Sequence, residues 1–254
     1  MDLTIKPLKT KKFYSKQSKI GDHMPETPSR GIFLGPGSSG KTLTAQVMLK
    51  KHYKNVFKAI FIWSPTARLD KGWDPIFAEM VKMGQEPDKT SGEKQCVFTE
   101  FNHADFDRIT DEHTKLVQAL KDRKQAPGSS QEIPNLLYLV DDFADQADVV
   151  RKRGGGFTRS FIRLRHQFIS CWILSQKWKL LDPAIRVNLT FCLCWRLRNV
   201  DEKKQFITDI SGKHGRETTE EIYELCTTEP YSFLYYDALK NEFYCRFEFK
   251  VVVT

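Results

Sequence analysis

At 254 residues, 40% hydrophobic and 28% charged, the chain has the composition of a globular protein with a sizeable core, and one large domain is favoured over two small ones. No apolar run approaches the roughly 20 residues of a membrane-crossing helix, so no membrane span is expected, and Met1 to Lys12 is too polar and basic for a secretory leader. Forty Lys and Arg against 32 Asp and Glu leave a net charge of +8, a surface that attracts polyanions.

Residues 1–29 carry Lys6, Lys9, Lys11, Lys12, Lys16 and Lys19 among three prolines and show little periodicity. They are expected to form a basic N-terminal arm, with one domain filling 30–254. The arm would touch DNA, a neighbouring subunit or a protein shell, or remain a solvated tail.

The domain opens on a short apolar run, Ile32 to Leu34, followed by Gly35-Pro36-Gly37-Ser38-Ser39-Gly40-Lys41-Thr42 and a helical stretch from about Lys41 to Tyr53. This spacing, G-x-x-x-x-G-K-[ST] between strand and helix, reads as a P-loop. Glycines let successive N–H groups turn inward as an anion nest, and the helix aims its positive end at the same anion. Gly35 to Leu43 are therefore the expected nucleotide contacts. Lys41 would reach the β- and γ-phosphates of ATP, and the Thr42 hydroxyl would enter the shell of Mg²⁺.

Val56 to Trp63 reads as a second buried strand, ended by Ser64-Pro65-Thr66, with a short helix at Asp74–Met83 and a polar loop over Gly84–Gln95. Cys96 to Phe98 suggests a short strand, Asp105–Lys124 an amphipathic helix, and Gln125–Gln131 a break. In Leu136-Leu137-Tyr138-Leu139-Val140-Asp141-Asp142, five apolar residues run into two carboxylates. A central parallel strand would deliver that pair beside the P-loop, since ligands of open α/β sheets bind at the carboxyl ends of the strands. Asp141 would then hold Mg²⁺, and Asp142 would orient and deprotonate water.

The segment Arg151-Lys152-Arg153-Gly154-Gly155-Gly156, with Arg159 beyond it, suits a loop that grips DNA phosphates without reading bases. Phe168 to Ser175 is another buried strand, and Gln176 at its end would sense the γ-phosphate or steer water. Leu189–Trp195 gives a fifth strand, and helices near Asp201–Ile210 and Glu217–Cys226 should cover the sheet. Alternation of Phe243, Cys245, Phe247, Phe249 and Val251 with polar residues, after the run Tyr231–Tyr236, predicts a half-buried hairpin at the sheet edge. The six cysteines form no C-x-x-C pair and read as buried small hydrophobes of a reducing compartment; a zinc site at Cys192 and Cys194 is not expected.

Taken in order, the P-loop, Ser64-Pro65-Thr66, Leu139-Val140-Asp141-Asp142, Arg165-His166, Ser175-Gln176 and Pro183-Ala184-Ile185-Arg186-Val187-Asn188 resemble the genome-packaging ATPases of double-stranded DNA viruses, within the FtsK-HerA superfamily. The resemblance spans about residues 30 to 237. It implies a RecA-like P-loop NTPase core of α/β class, with a mostly parallel sheet flanked by helices. It further implies a pentameric or hexameric ring of this chain that hydrolyses ATP to move double-stranded DNA into a preformed capsid, with capsid or portal partners. Such a protein works in the cytoplasm or viral factory of an infected host cell, or travels in the virion. Residue by residue, Lys41 and Thr42 match the phosphate and Mg²⁺ ligands, Asp141 and Asp142 the acidic pair, Gln176 the sensor, and Arg186 a basic position assignable as a trans-acting finger, with Arg163 and Arg165 as alternatives. Many members carry a glutamate where Asp142 stands. The competing reading is a P-loop ATPase of another class, a protein-remodelling ATPase or a non-viral DNA transporter.

Overall fold

A computed structural model describes residues 12–18, 23–123, 129–142 and 156–252. Its strands are β1 (Lys12–Tyr14), β2 (Arg30–Leu34), β3 (Phe57–Trp63), β4 (Val97–Phe98), β5 (Ser130–Glu132), β6 (Asn135–Asp141), β7 (Ile169–Ser175), β8 (Phe191–Trp195), β9 (Phe233–Asp237), β10 (Glu242–Cys245) and β11 (Phe249–Lys250). The helices are α1 (Lys41–Val47, continued by a wider turn over Met48–His52), α2 (Asp74–Lys82), α3 (His103–Lys121), α4 (Gly156–Leu164), α5 (Pro183–Val187), α6 (Val200–Ile210) and α7 (Arg216–Cys226). Local chemistry sets several starts: Asn102, Asp182 and Asn199 each accept a backbone N–H of the first turn of α3, α5 and α6.

One nine-stranded sheet runs in the order β11, β10, β9, β8, β2, β7, β6, β3, β4. Pairing is parallel from β8 to β4 and antiparallel from β8 through β11. The parallel strands are apolar on both faces because helices cover both. Ile32 and Leu34 join a core with side chains of α3 to α7, whereas Phe33 between them points to the other face, against α1, Trp172, Phe191 and Trp195. Packing of β2 against β8 is close enough that a Cβ on Gly31 would lie 2.1 Å from the Phe191 ring. Only glycine fits there.

Several observations differ from the sequence reading. Residues 12–18 and 23–29, expected in a basic arm, are fastened to the body: β1 pairs in parallel with β5, a strand placed where a break was expected. Met24 is buried, Gln17 and Thr27 bond each other, and Tyr53 and Tyr235 donate to the carbonyls of Pro25 and His23. These contacts run through backbone and polar groups, which leave no hydrophobic period to read. The alternation after Glu242 also fails beyond Cys245. Arg246 takes a left-handed backbone (φ 56°), the chain turns, and Phe249 in β11 is exposed. Cys226 and Cys245 are joined in a disulfide with Cα atoms 4.8 Å apart, against the expectation of six free thiols, while Cys96, Cys171, Cys192 and Cys194 are free and buried. Nothing in their spacing announces the bridge, because the fold alone brings the end of α7 to the end of β10.

Candidate active site at the carboxyl edge of the sheet

Three adjacent parallel strands deliver the expected residues to one edge. Leu34 of β2 pairs with Ser175 of β7, and the next N–H, that of Gly35, donates to the Ser175 carbonyl at 3.1 Å. On the other side of β7, Asp141 pairs with Leu174, and Asp142 N–H reaches the Leu174 carbonyl at 3.4 Å. The P-loop, the acidic pair and Gln176 therefore leave the sheet at the same level, with one strand between loop and acids.

Lys41 is buried at the start of α1 and folds back so that its Nζ donates to the carbonyls of Gly35 and Pro36, each at 2.8 Å. Burial lowers its pKa, and the charges of Asp141 and Asp142 pull it back up, which fixes loop and carboxylates as electrostatic neighbours. Two backbone positions give the loop its curl, Ser38 at φ 60° and Gly40 at φ 100°. A Cβ on Gly35 would stand 2.7 Å from Ser39 Oγ and 2.9 Å from Trp195 Cβ, so this glycine is required by close approach; Gly37 faces open space. Ser39 Oγ is buried with no hydrogen-bond partner, a polar group turned into the loop that an anion would satisfy. Thr42 is half-buried and Leu43 exposed.

Asp141 is 8% exposed, and its pKa is pushed up to about 7 by burial first and by Asp142 second, against the lowering effect of Lys41 and of the Ser64 hydroxyl, which donates to Oδ2 at 3.4 Å. Ser64, fully buried at the end of β3, is a site residue that the sequence reading took only as a strand terminator. Asp142 has a left-handed backbone (φ 55°), and the Gln176 amide donates to both of its carboxylate oxygens, at 3.0 and 3.1 Å. Among the described residues no cluster of three or more His, Cys, Asp or Glu could cage a metal. The Thr42 hydroxyl and the Asp141 carboxylate are hard oxygen donors of the type Mg²⁺ uses when phosphates and water fill the rest of its shell. The residues fit that ion.

Arg186 is not brought to this edge. It lies in α5 with its guanidinium paired to Asp209, near the far end of α6, and 5.8 Å from the centre of the Trp178 ring, whose Nε1 donates to the same carboxylate. Arg163 and Arg165 are exposed near the amino end of β7, again away from the P-loop. Arg159 is exposed on α4; Arg151, Lys152 and Arg153 fall outside the described residues.

An α/β architecture with a parallel-dominated sheet, helices on both faces and a P-loop leaving its central strand is the fold of the P-loop NTPases. No protein-family model matches the sequence, and no curated protein matches it. Among the structural neighbours are genome-packaging NTPases, the kind of protein to which the sequence resemblance pointed. The genome-packaging NTPase B204 of Sulfolobus turreted icosahedral virus 2, in complex with ATP-γ-S, aligns over 85% of this chain and 96% of its own at 13% identity, with a TM-score of 0.54. B204, the DNA-packaging ATPase of Sulfolobus turreted icosahedral virus, aligns over 89% and 98% at 16% identity and a TM-score of 0.55. The pCW3 conjugation coupling protein TcpA, with ATP-γ-S, aligns over 82% of this chain and 57% of its own at 16% identity and a TM-score of 0.53.

Proposed function

We propose that this chain is an ATPase that moves double-stranded DNA, packaging a viral genome into a preformed capsid as a ring of identical subunits. One observation carries the reading: Lys41, the Asp141–Asp142 pair and Gln176 meet at a single sheet edge, next to a loop shaped for phosphates. The likeness to the B204 packaging ATPases along most of both chains supports the viral assignment, and the net charge of +8 supports a polyanionic cargo.

In this reading Gly35 to Leu43 wrap the triphosphate, and Lys41 exchanges the Gly35 and Pro36 carbonyls for the β- and γ-phosphates. Thr42 and Asp141 would hold Mg²⁺, which when bound neutralises charge on the phosphate oxygens. Asp142 accepts the proton of the water that attacks the γ-phosphorus as the bond to ADP breaks. Gln176, already bonded to Asp142, ties the base to the arrival of the γ-phosphate. Ring contacts, capsid or portal partners and the DNA contacts of Arg151, Lys152, Arg153 and Arg159 belong to the same proposal.

The test is ATP turnover against protein concentration, with and without duplex DNA, across a salt series. Stimulation by DNA that fades as salt rises is expected, because each phosphate contact releases counterions. Turnover indifferent to duplex DNA would overturn the translocase reading and leave an ATPase of another class. Lys41→Ala should abolish nucleotide binding or turnover, and normal activity in that variant would remove the P-loop assignment itself.

A further inference from the structure

Residues 27–69 contain no Asp or Glu, and all their exposed cations fall in one short stretch: Lys50, Lys51, Lys54 and Lys58. The fold sets these lysines at the edge of the sheet away from the P-loop. Helix α1 starts in that loop at the carboxyl edge, and its wider last turn hands the chain to β3, which is parallel to β6, β7 and β2 and therefore begins at the amino edge. From Lys41 to His52 the helix spans roughly 16 Å at 1.5 Å per residue, so the lysines are no part of the phosphate loop.

Their positions are built. Met48, Leu49 and Tyr53 bury one side of the turn and leave Lys50, Lys51 and Lys54 exposed. Asn55, on a left-handed backbone (φ 60°), swings the chain toward β3. There the register on β6 slips between Phe57 and Ala59, and Lys58 stands exposed at the bulge while Phe57 and Ile60 are buried. Lys50 and Lys54 share a surface cavity of about 560 Å³ with Asn55, Glu79 and Lys82, the last two from α2. Glu79, the one carboxylate of that lining, is taken by Lys82 at 2.7 Å. Among the described residues Lys50, Lys51, Lys54 and Lys58 enter no ion pair.

A helix dipole favours cations in the last turn, but it accounts neither for Lys58 on a strand nor for Lys82 on a second helix. Like charges crowd here: burial lowers the pKa of His52, and the charges of His23 and Lys51 lower it further. Such a cluster costs the free protein stability, and a polyanion relieves it.

We infer that the amino-edge lysines form a second contact surface for duplex DNA, gripping its phosphates without reading bases, on the side of the subunit away from the ATP site. The inference rests on the proposed DNA-moving function. A duplex carries a charge about every 1.7 Å of its axis, so lysines spread over a helix end, a bulge and a neighbouring helix can each find a phosphate. Protein interfaces, by contrast, are depleted in lysine.

The test follows binding of a short mixed-sequence duplex to the full chain by fluorescence anisotropy across a salt series. The parent is compared with Lys50→Gln/Lys54→Gln/Lys58→Gln and with Lys115→Gln/Lys204→Gln/Lys213→Gln, which removes the same charge from exposed sites elsewhere. Each lost contact takes about 0.9 from the slope of log affinity against log salt, so the cluster variant should show a slope shallower by about 2–3 and bind about tenfold or more weakly, while the second variant stays within about 1 of the parent slope. The unfolding midpoint of the cluster variant in low salt should equal or exceed the parent's, because repulsion has been removed. Equal slope changes in the two variants would mean that net charge alone attracts DNA, and a lowered midpoint would give the lysines a structural role. A cluster variant that keeps the parent's DNA slope but loses affinity for polyglutamate would reassign the surface to an acidic protein. Each of these results overturns the inference and leaves the translocase reading standing. If the parent binds no duplex DNA, the translocase reading falls and this inference with it.

Discussion

The Asp142 carboxylate is aimed by two things at once, a backbone in the left-handed region and an amide that donates to both of its oxygens. Aspartate tolerates that backbone better than most residues, so the position reads as a placed functional group. Asp142→Asn should bind ATP with unchanged affinity and hydrolyse it about 10²- to 10⁴-fold more slowly, as expected when a general base is lost. A variant unable to bind ATP would assign Asp142 a structural role instead. The P-loop and the two aspartates were legible in the chain because phosphate chemistry dictates their spacing and a buried strand must end before two carboxylates. Gln176 was readable too, as a polar group at a strand end, but the pairings were not: Ser64 reaches Asp141 across 77 residues and Gln176 reaches Asp142 across 34, and only the parallel register of β3, β6 and β7 joins them. His113 lies buried on α3, on the amphipathic helix expected over Asp105–Lys124. Burial holds its pKa below the ordinary 6.5, opposed by nearby carbonyls, so its stabilising neutral form is fully present above that pH and is lost as pH falls below it. Asp141, held high, acts in the opposite sense over much of the same range, so the comparison must be between slopes. Urea unfolding between pH 7.5 and 5.5 should fall less steeply in His113→Gln than in the parent, by at most about 1.4 kcal/mol per pH unit. Parallel slopes would mean that His113 takes up its proton while folded.

At the scale of the element, β2 is the strand on which the site depends, because the P-loop is its direct continuation. Gly31 sits where the Phe191 ring of β8 crosses the strand, and a methyl group there would overlap that ring. Since β2 is paired on both sides, it cannot retreat. Gly31→Ala should therefore lower stability by about 1–3 kcal/mol or more and loosen nucleotide binding in the same variant, measured by denaturant unfolding and by titration. Stability within 0.5 kcal/mol of the parent would show that Phe191 can turn aside. Strands β3, β6, β7 and β8 were all readable as apolar runs, since a central parallel strand must be apolar on both faces. Strands β1 and β5 were not, because their six residues are half-buried or exposed and form no apolar run. The turn at Arg246 was hidden for a different reason: the alternation of Phe243 to Val251 continues through it in sequence, whereas one left-handed residue ends it in space.

Over the whole molecule, aromatic side chains fill both faces of the sheet. Trp63, Phe106, Tyr138 and Phe157 pack on one side, and Phe33, Tyr53, Trp172, Phe191 and Trp195 on the other. The antiparallel strands β9 to β11 extend this body, and among the described residues the Cys226–Cys245 disulfide is its only covalent cross-link. Ile222, Tyr223 and Phe243 already join α7 to β10 in the common core, so the bridge need not hold the fold together. Its main effect should fall on the unfolded chain, where it closes a loop between cysteines 19 residues apart. The chain-entropy account of such a loop gives about 3 kcal/mol. The oxidised protein should thus exceed Cys226→Ser/Cys245→Ser by about that amount in denaturant unfolding, with a smaller m-value, because the cross-linked unfolded chain exposes less surface. A stability gap with equal m-values would place the effect in the folded state. No gap at all would mean that packing between α7 and β10 already does what the bridge does.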